Sequence, residues 1–193
     1  MDRSAPVGAV ILAAGSSRRF GSAKQLAMLD GRTLLEHAIG AAVAAGLTPV
    51  VAVVPTWLTR PSSLGGESVQ WVGNPSPERG VSVSLRLGLR AIGDEATAAV
   101  ILLGDQPYVG PSIIETLLAA RGDRPIVAGE ADGVLAPPLL LERSAFALAE
   151  AASGDIGLRQ ILRDNPELVR AVPIDRHPPD VDTPDDLAAL ERP

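Results

Sequence analysis

The sequence predicts an α/β fold with a mostly parallel sheet and helices on both of its faces. Short Val- and Ile-rich runs alternate along the chain with longer Ala- and Leu-rich stretches, the order that strand–helix–strand units produce. The strand-like runs are apolar at nearly every position rather than at every second one, as in strands covered from both sides. Gly, Pro or polar turn residues close the runs, and such residues punctuate elements rather than continue them.

Taken in order, Val7–Ala13 reads as the first buried strand, ending in a loop of Gly, Ser and Arg. Thr33–Ala45 reads as a helix with Thr33 as N-cap, Glu36 completing a capping box and Gly46 stopping it. Val50–Val54 and Val69–Val72 follow as strands. Between Val81 and Ile92, helical spacing puts Val81, Leu85, Leu89 and Ile92 on one face and Ser82, Arg86 and Arg90 on another. Ala98–Leu103 is a strand with a loop, 104–110, at its carboxyl end. Ser112–Arg121 is helical, Ile126–Ala128 a strand, and Val134–Leu141 an extended segment interrupted by Pro137 and Pro138. Ser144–Ala152 and Ile156–Arg163 read as helices, Val169–Ile174 as a strand, and Thr183–Leu190 as a closing helix that starts at Pro184. No internal repeat or long linker divides the chain, so a single domain over 1–193 is expected.

Composition bounds the chemistry. A chain of 193 residues buries about 70% of its unfolded surface and needs no staple. With aromatics at only 3%, the core has to be built from Ala, Val, Leu and Ile. The absence of Cys excludes disulfides, thiolate metal sites, iron–sulfur clusters and a cysteine nucleophile, and fits a cytoplasmic protein. A net charge of −6 argues against nucleic-acid binding through a basic face. The charge is uneven: Arg3, Arg18, Arg19, Lys24 and Arg32 dominate the first forty residues, whereas 164–193 is acidic. Ala38–Thr59 is free of charge and long enough to cross a bilayer. Gly40, Gly46, Pro49 and Pro55 divide it, however, into a buried helix, a turn and a buried strand. Ala5–Ala14 is similar to a signal-peptide core, but Asp2 offsets Arg3 and a basic loop follows directly. No membrane partner is expected.

In open α/β sheets ligands sit outside the carboxyl ends of strands, which singles out loops 14–24, 104–110 and 175–184. The first packs Gly15, Ser16, Ser17, Gly21 and Ser22 with Arg18, Arg19 and Lys24. Small residues let backbone N–H groups approach phosphate oxygens, and the cations neutralise them. The loop is neither a Walker A sequence nor a Gly-x-Gly-x-x-Gly fingerprint. Lys24 is the only lysine in the chain, a compact ammonium where every other such cation is a planar guanidinium. His37, inside a helix, and His177, before Pro178-Pro179, read as structural or solvated. No Ser–His–Asp arrangement or Gly-x-Ser-x-Gly elbow occurs.

Leu12-Ala13-Ala14-Gly15 through Arg19-Phe20-Gly21 to Lys24 closely resembles the signature of the molybdenum-cofactor-type nucleotidyltransferases. Asn74-Pro75 with Gly80 and Ser84-Leu85, Leu103-Gly104-Asp105-Gln106-Pro107, Gly154-Asp155-x-Gly157-x-Arg159, and Asp180-Val181-Asp182-Thr183-Pro184 resemble that family's later motifs in order. The resemblance runs from about residue 7 to 190 and implies a three-layer Rossmann-like nucleotidyltransferase fold. It implies nucleotide contacts from Leu12, Ala13, Ala14, Gly15, Ser17, Arg19, Gly21, Lys24, Asn74, Gly80 and Ser84. It assigns catalysis to Arg19, Lys24 and Asp105, Mg²⁺ to Asp105 and Asp182 with Asp180 as rival, and acceptor contacts to Gln106 and Asp155. Plainer readings stand beside several of these. Asn74 suits an Asx turn before Pro75, Ser84 the first turns of a helix, Asp155 a cap for the helix from Ile156, and Asp182 the start of the last helix.

The resemblance further implies transfer of a nucleotidyl group from a nucleoside triphosphate, with release of pyrophosphate. Ala13-Ala14-Gly15 is similar to the cytidylyl branch, where guanylyl enzymes carry Ala-Gly-Gly, so CTP is the favoured nucleotide. The implied acceptor is a molybdopterin-type cofactor, with a molybdoenzyme as a further partner. The family's cytidylyl members carry Gly-x-x-Gly-His-Pro where this chain has Gly133-Val134-Leu135-Ala136-Pro137-Pro138, which removes an imidazole and stiffens the loop. Three alternatives stay open at this point. One is transfer to another phosphorylated acceptor, such as a sugar or alcohol phosphate. The others are an NAD(P)H-dependent reductase of the nicotine blue type and a non-catalytic molybdoenzyme chaperone.

Overall fold

The computed structural model describes residues 5–58, 60, 69–152, 154 and 157–191. In chain order the strands and helices are β1 (Val7–Leu12), β2 (Met28–Leu29), β3 (Arg32–Thr33), α1 (Leu34–Ala44), β4 (Val50–Pro55), β5 (Val69–Asn74), α2 (Val81–Ala91), β6 (Ala98–Leu103), α3 (Pro111–Ala119), β7 (Ile126–Ala131), β8 (Val134–Glu142), α4 (Phe146–Ala151), α5 (Gly157–Asp164), β9 (Val169–Pro173) and α6 (Pro184–Leu190). Seven strands form one sheet in the order β5-β4-β1-β6-β8-β7-β9. Only β8 runs against its neighbours, so the mostly parallel sheet that the apolar runs predict is present.

Alternation along the strands divides the core into two layers. Ala9, Ile11, Val50, Ala52, Val100 and Leu102 pack with Leu35, Ile39, Ile114 and Leu117 of α1 and α3. Val10, Leu12, Val51, Val53, Ala99 and Ile101 pack with Leu85 and Leu89 of α2, Ala149 of α4, and Leu158 and Ile161 of α5. Helices therefore cover both faces. The small core residues allow close approach: β1 and α2 meet where α2 has no side chain, and a Cβ on Gly88 would lie 2.2 Å from Val10 Cγ1. Among the described residues no helix is long and apolar enough to cross a membrane. The uncharged stretch divides into α1, a turn and β4, as its Gly and Pro residues require.

Thr33 and Glu36 form the expected capping box at α1. Three places add to or depart from the expected pattern, and each has a local cause. Asp30 and Gly31 both have positive φ, 49° and 77°, and turn β2 back on β3. Asp132 and Gly133 do the same, at 52° and 74°, joining β7 to β8. Asp-Gly is the residue pair that a two-residue hairpin turn favours. It carries β7 to Ala131, three residues beyond the expected end. Pro137 and Pro138 fall in β8 where pairing with β7 shifts register between Ala128 and Gly129, while pairing with β6 stops at Leu139. Neither proline is asked for a ladder hydrogen bond it cannot donate.

Gly88→Ala is expected to lower stability by about 1–3 kcal/mol through overpacking against Val10, outweighing the roughly 1 kcal/mol that alanine gains in a helix. Urea denaturation checks this; a more stable variant would refute the packing argument.

Candidate functional site

β1 leads to β4 on one side of itself and lies against β6 on the other, so the chain reverses its order at the carboxyl ends of β1 and β6. Such a switch point opens a crevice. Gly104 brings the two ends together: its N–H donates to Leu12 O at 3.0 Å, and a Cβ there would lie 2.7 Å from Ala13 Cβ. Leu12, Ala13 and Ala14 are buried beneath the opening.

The loop after β1 is shaped by a residue that motif reasoning missed. Gln25, only 2% exposed, donates from Nε2 to Ala13 O at 2.8 Å and to Gly15 O at 2.9 Å. Its Oε1 accepts from Ser17 Oγ at 3.3 Å, and Ser17 Oγ accepts from the Lys24 N–H at 3.3 Å. The signal that could have found Gln25 is an amide directly after a loop whose backbone needs partners. Ser17 bends the loop with a φ of 51°.

Three distant segments meet at the floor. Lys24 Nζ donates to Asp105 Oδ2 at 2.6 Å and to Asp182 Oδ1 at 3.0 Å. Arg19 Nη2 donates to Asp182 Oδ2 at 2.8 Å. Burial alone would pull the Lys24 ammonium down, but the charges and hydrogen bonds of Asp105 and Asp182 outweigh it and hold the group above its ordinary value. Asp180 is turned elsewhere: its Oδ1 accepts from Gln106 Nε2 at 2.8 Å. Although Asp180 is exposed as a residue, crowding of its carboxyl pushes the pKa up. The Gln106 bond opposes this, and the charges of Asp105 and Asp182 add to it. Asp182 is thus the carboxylate that converges with Asp105.

Backbone bonds fix this convergence. The Val181 N–H donates to Asp105 O at 2.9 Å, and the Asp182 and Thr183 N–H groups donate to Asp186 Oδ2 at 3.0 and 2.7 Å. Thr183 and Asp186 form a capping box at α6. Asp182 precedes that box and has its side chain free for Lys24 and Arg19, so a helix start and a site residue coexist in one turn.

A cleft of about 950 Å³ opens above the floor. Of the expected site residues it is lined by Leu12, Ala13, Ala14, Gly15, Ser17, Arg19, Lys24, Gly80, Ser84, Asp105, Gln106 and Asp182. Gly21 lines an adjoining depression of about 440 Å³ beside Trp57 and Pro77. Asn74 is wholly buried and contacts neither space. Its Oδ1 accepts from the Ser76 N–H at 2.8 Å and its Nδ2 donates to Ser84 Oγ at 2.9 Å, so it makes the Asx turn and orients a cleft residue. Asp155 lies outside the described residues. His37 is structural, its Nε2 bonding Leu29 O at 2.9 Å. His177 is likewise held by a backbone carbonyl. Its Nε2 lies 2.8 Å from Val134 O, and it lines the cleft with Ala136, Pro137, Leu158 and Arg159. An imidazole from the 175–180 segment thereby stands on the wall where the β8 sequence lacks one.

The cationic small-residue loop facing paired carboxylates across a switch point is the arrangement of the nucleotidyltransferase-type α/β folds. A family model described as the MobA-like NTP transferase domain matches residues 9–171, and the chain belongs to that family. It is similar to the purine catabolism protein PucB of Bacillus subtilis, at 28% identity over 80% of this chain and 79% of that protein. The bifunctional protein GlmU of Sorangium cellulosum is 35% identical over 63% of this chain, which spans only 28% of that protein's length. Among solved structures, Rv0371c from Mycobacterium tuberculosis H37Rv superposes with a TM-score of 0.86 at 26% identity, covering 97% of this chain and 98% of that one. The same protein is also known in complex with manganese, where the TM-score is 0.76 and coverage 96% and 97%.

Gln25→Leu, which leaves the Ala13 and Gly15 carbonyls unpartnered, is expected to cost about 1–3 kcal/mol of stability and to speed amide exchange in 15–18, both measurable on the purified protein. A pH test isolates the α6 cap. Hydrogen bonds from Thr183, side chain and backbone, and from the Asp182 amide hold the Asp186 carboxyl below its ordinary value. Its contribution is therefore complete above the unfolded value of about 3.9 and fades as pH falls through the lower folded-state value. Wild type should exceed Asp186→Asn in stability at neutral pH and match it in strong acid; an equal gap at both would assign the effect elsewhere.

Proposed function

We propose that this protein is a Mg²⁺-dependent cytidylyltransferase that transfers CMP from CTP to a molybdopterin-type cofactor and releases pyrophosphate. The observation that carries the reading is the meeting of Lys24 and Arg19 with Asp105 and Asp182 at the β1–β6 switch point. In the reaction an acceptor phosphate oxygen attacks the α-phosphorus, the bond to the bridging α–β oxygen breaks, and its electron pair leaves on pyrophosphate. Backbone N–H groups of 14–18, with Arg19 and Lys24, hold the β- and γ-phosphates and take up the charge that grows there. Because the attacking group is already an anion, no side chain has to remove a proton.

Asp105 and Asp182 fit a divalent cation: two hard oxygen donors converge on one cationic point. Among the described residues no three His, Cys, Asp or Glu side chains form a metal cage. Two carboxylates suit Mg²⁺, which takes one or two and completes its shell with phosphate and water. Bound there, it would supply Lewis-acid neutralisation of the triphosphate. That Rv0371c forms a complex with manganese supports the use of a divalent ion.

The Ala14 side chain, 3% exposed at the base of the cleft, favours a pyrimidine over a purine, a preference of about 1–3 kcal/mol. Gln106 and Asp155 are the acceptor-side residues of this reading, and Arg159 and His177 line the same cleft as Gln106. The Ala136-Pro137 wall also favours a second reading, transfer of CMP to a different phosphorylated acceptor.

Pyrophosphate release measured with CTP, GTP, ATP and UTP, with and without molybdopterin cofactor, tests both. Release requiring CTP and cofactor, and falling ~10²-fold or more in Asp105→Asn or Asp182→Asn, is the expected result. Release with CTP and another phosphate acceptor alone would select the second reading, and silence with every nucleotide would reject both.

A further inference from the structure

We propose that Lys24 is an internal competitor for the divalent cation: its ammonium and the metal take the same two carboxylates by turns, so the cation site opens when a triphosphate draws Lys24 away. The proposal rests on reading the cleft as a metal-dependent nucleotidyltransferase site, and it concerns the order in which that site fills.

The geometry sets the two occupants in competition. Lys24 Nζ lies 2.6 Å from Asp105 Oδ2 and 3.0 Å from Asp182 Oδ1, one ammonium holding an oxygen of each carboxylate. Mg²⁺ binds such oxygens at about 2.0–2.1 Å with near-octahedral demands, so it competes for them with a cation already at hydrogen-bond distance from both, and two cations this close repel one another. The pair is also sheltered: the side chains of Lys24 and Asp105 are 13% and 22% exposed. Water screens it less than it screens a surface ion pair. Arg19 is not an equivalent occupant, since its side chain is 73% exposed and, of the two carboxylates, it pairs with Asp182.

Lys24 has somewhere else to go. It lines the cleft together with Gly15, Ser17 and Arg19, and its four-carbon stem and point charge suit an exchange of partners better than a rigid guanidinium would. Moving the ammonium from the carboxylates to triphosphate oxygens frees Asp105 and Asp182 as the cation arrives, and every charge stays paired throughout. By linkage, whatever factor the triphosphate adds to metal affinity the metal adds to triphosphate affinity. Metal without nucleotide would then bind poorly, and nucleotide without metal would bind by breaking the Lys24 ion pairs.

Because Lys24 is the only lysine in the chain, selective ¹³C-lysine labelling yields a single Cε resonance that reports the exchange directly. Titration of the wild-type protein with Mg²⁺ alone is expected to move that resonance in step with metal binding. Mn²⁺ affinity without nucleotide, measured by electron paramagnetic resonance, is expected to rise about tenfold in Lys24→Gln, and this advantage should shrink once CTP is present. Arg19→Gln removes an equal charge from the same cluster while leaving Lys24 in place, and should gain far less. A Lys24 resonance that stays put while metal binds overturns the proposal, as does equal Mn²⁺ affinity in wild type and Lys24→Gln, or an equal gain in Arg19→Gln. Absence of metal binding to every form, with CTP present as well, would instead overturn the metal-dependent reading of the site itself.

Discussion

The cleft depends on how closely the carboxyl ends of β1 and β6 approach. Gly104 sits against Ala13 with no room for a side chain, and the bond from its N–H to Leu12 O continues the strand pairing to the edge of the sheet. The loop after β1 and the loop after β6 are thereby held side by side, and the rest is arranged around them. Gln25 pulls the carbonyls of Ala13 and Gly15 inward. Asp105 emerges from β6 within reach of Lys24. The 180–183 segment is tied to the same strand end through Val181 and Asp105, which brings in Asp182. Three stretches separated by some eighty residues each meet at one ammonium because one glycine lets two strands finish together.

The sheet and its helices were legible in the sequence because the strands of a two-faced parallel sheet are apolar throughout. Val7–Leu12, Val50–Pro55 and Ala98–Leu103 carry that mark without ambiguity, and the Thr33–Glu36 cap is written in four residues. The hairpins at Asp30-Gly31 and Asp132-Gly133 carried a signal too, but β2 and β3 are too short for any periodicity to frame it. The register shift in β8 is different in kind. Two prolines announce an interruption, yet where β7 absorbs it depends on partners that lie elsewhere in the chain. At the site, the motif residues of the first loop and Asp105 were legible through strand-end placement. The pairing of Lys24 with Asp182 rather than Asp180 was not, because Asp180 instead accepts a hydrogen bond from Gln106, which lies far away in the chain. The place of His177 was hidden for the same reason: next to Pro178 and Pro179, nothing local indicates that its ring bonds Val134 O and lines the cleft with Ala136 and Pro137.

The cleft is built from two kinds of material, and this bears on how its chemistry and its selectivity are divided. The floor comes from β1, β6 and the turn before α6, whose positions are set by sheet hydrogen bonds, buried apolar residues and a capping box. The far wall comes from the β8 bulge, the first turn of α5 and the 175–180 segment, which belong to the half of the sheet where β8 breaks the parallel order. A substitution in the floor disturbs strand ends that the core also needs. A substitution in the wall changes residues such as Ala136, Pro137, Arg159 and His177 without touching β1 or β6. In this chain an imidazole missing from one wall segment is matched by one arriving from another, so the chemical character of the wall does not follow from the β8 motif alone. If the wall receives the second substrate, as the proposed function has it, its recognition is free to vary while the charge arrangement that would serve nucleotidyl transfer stays in place.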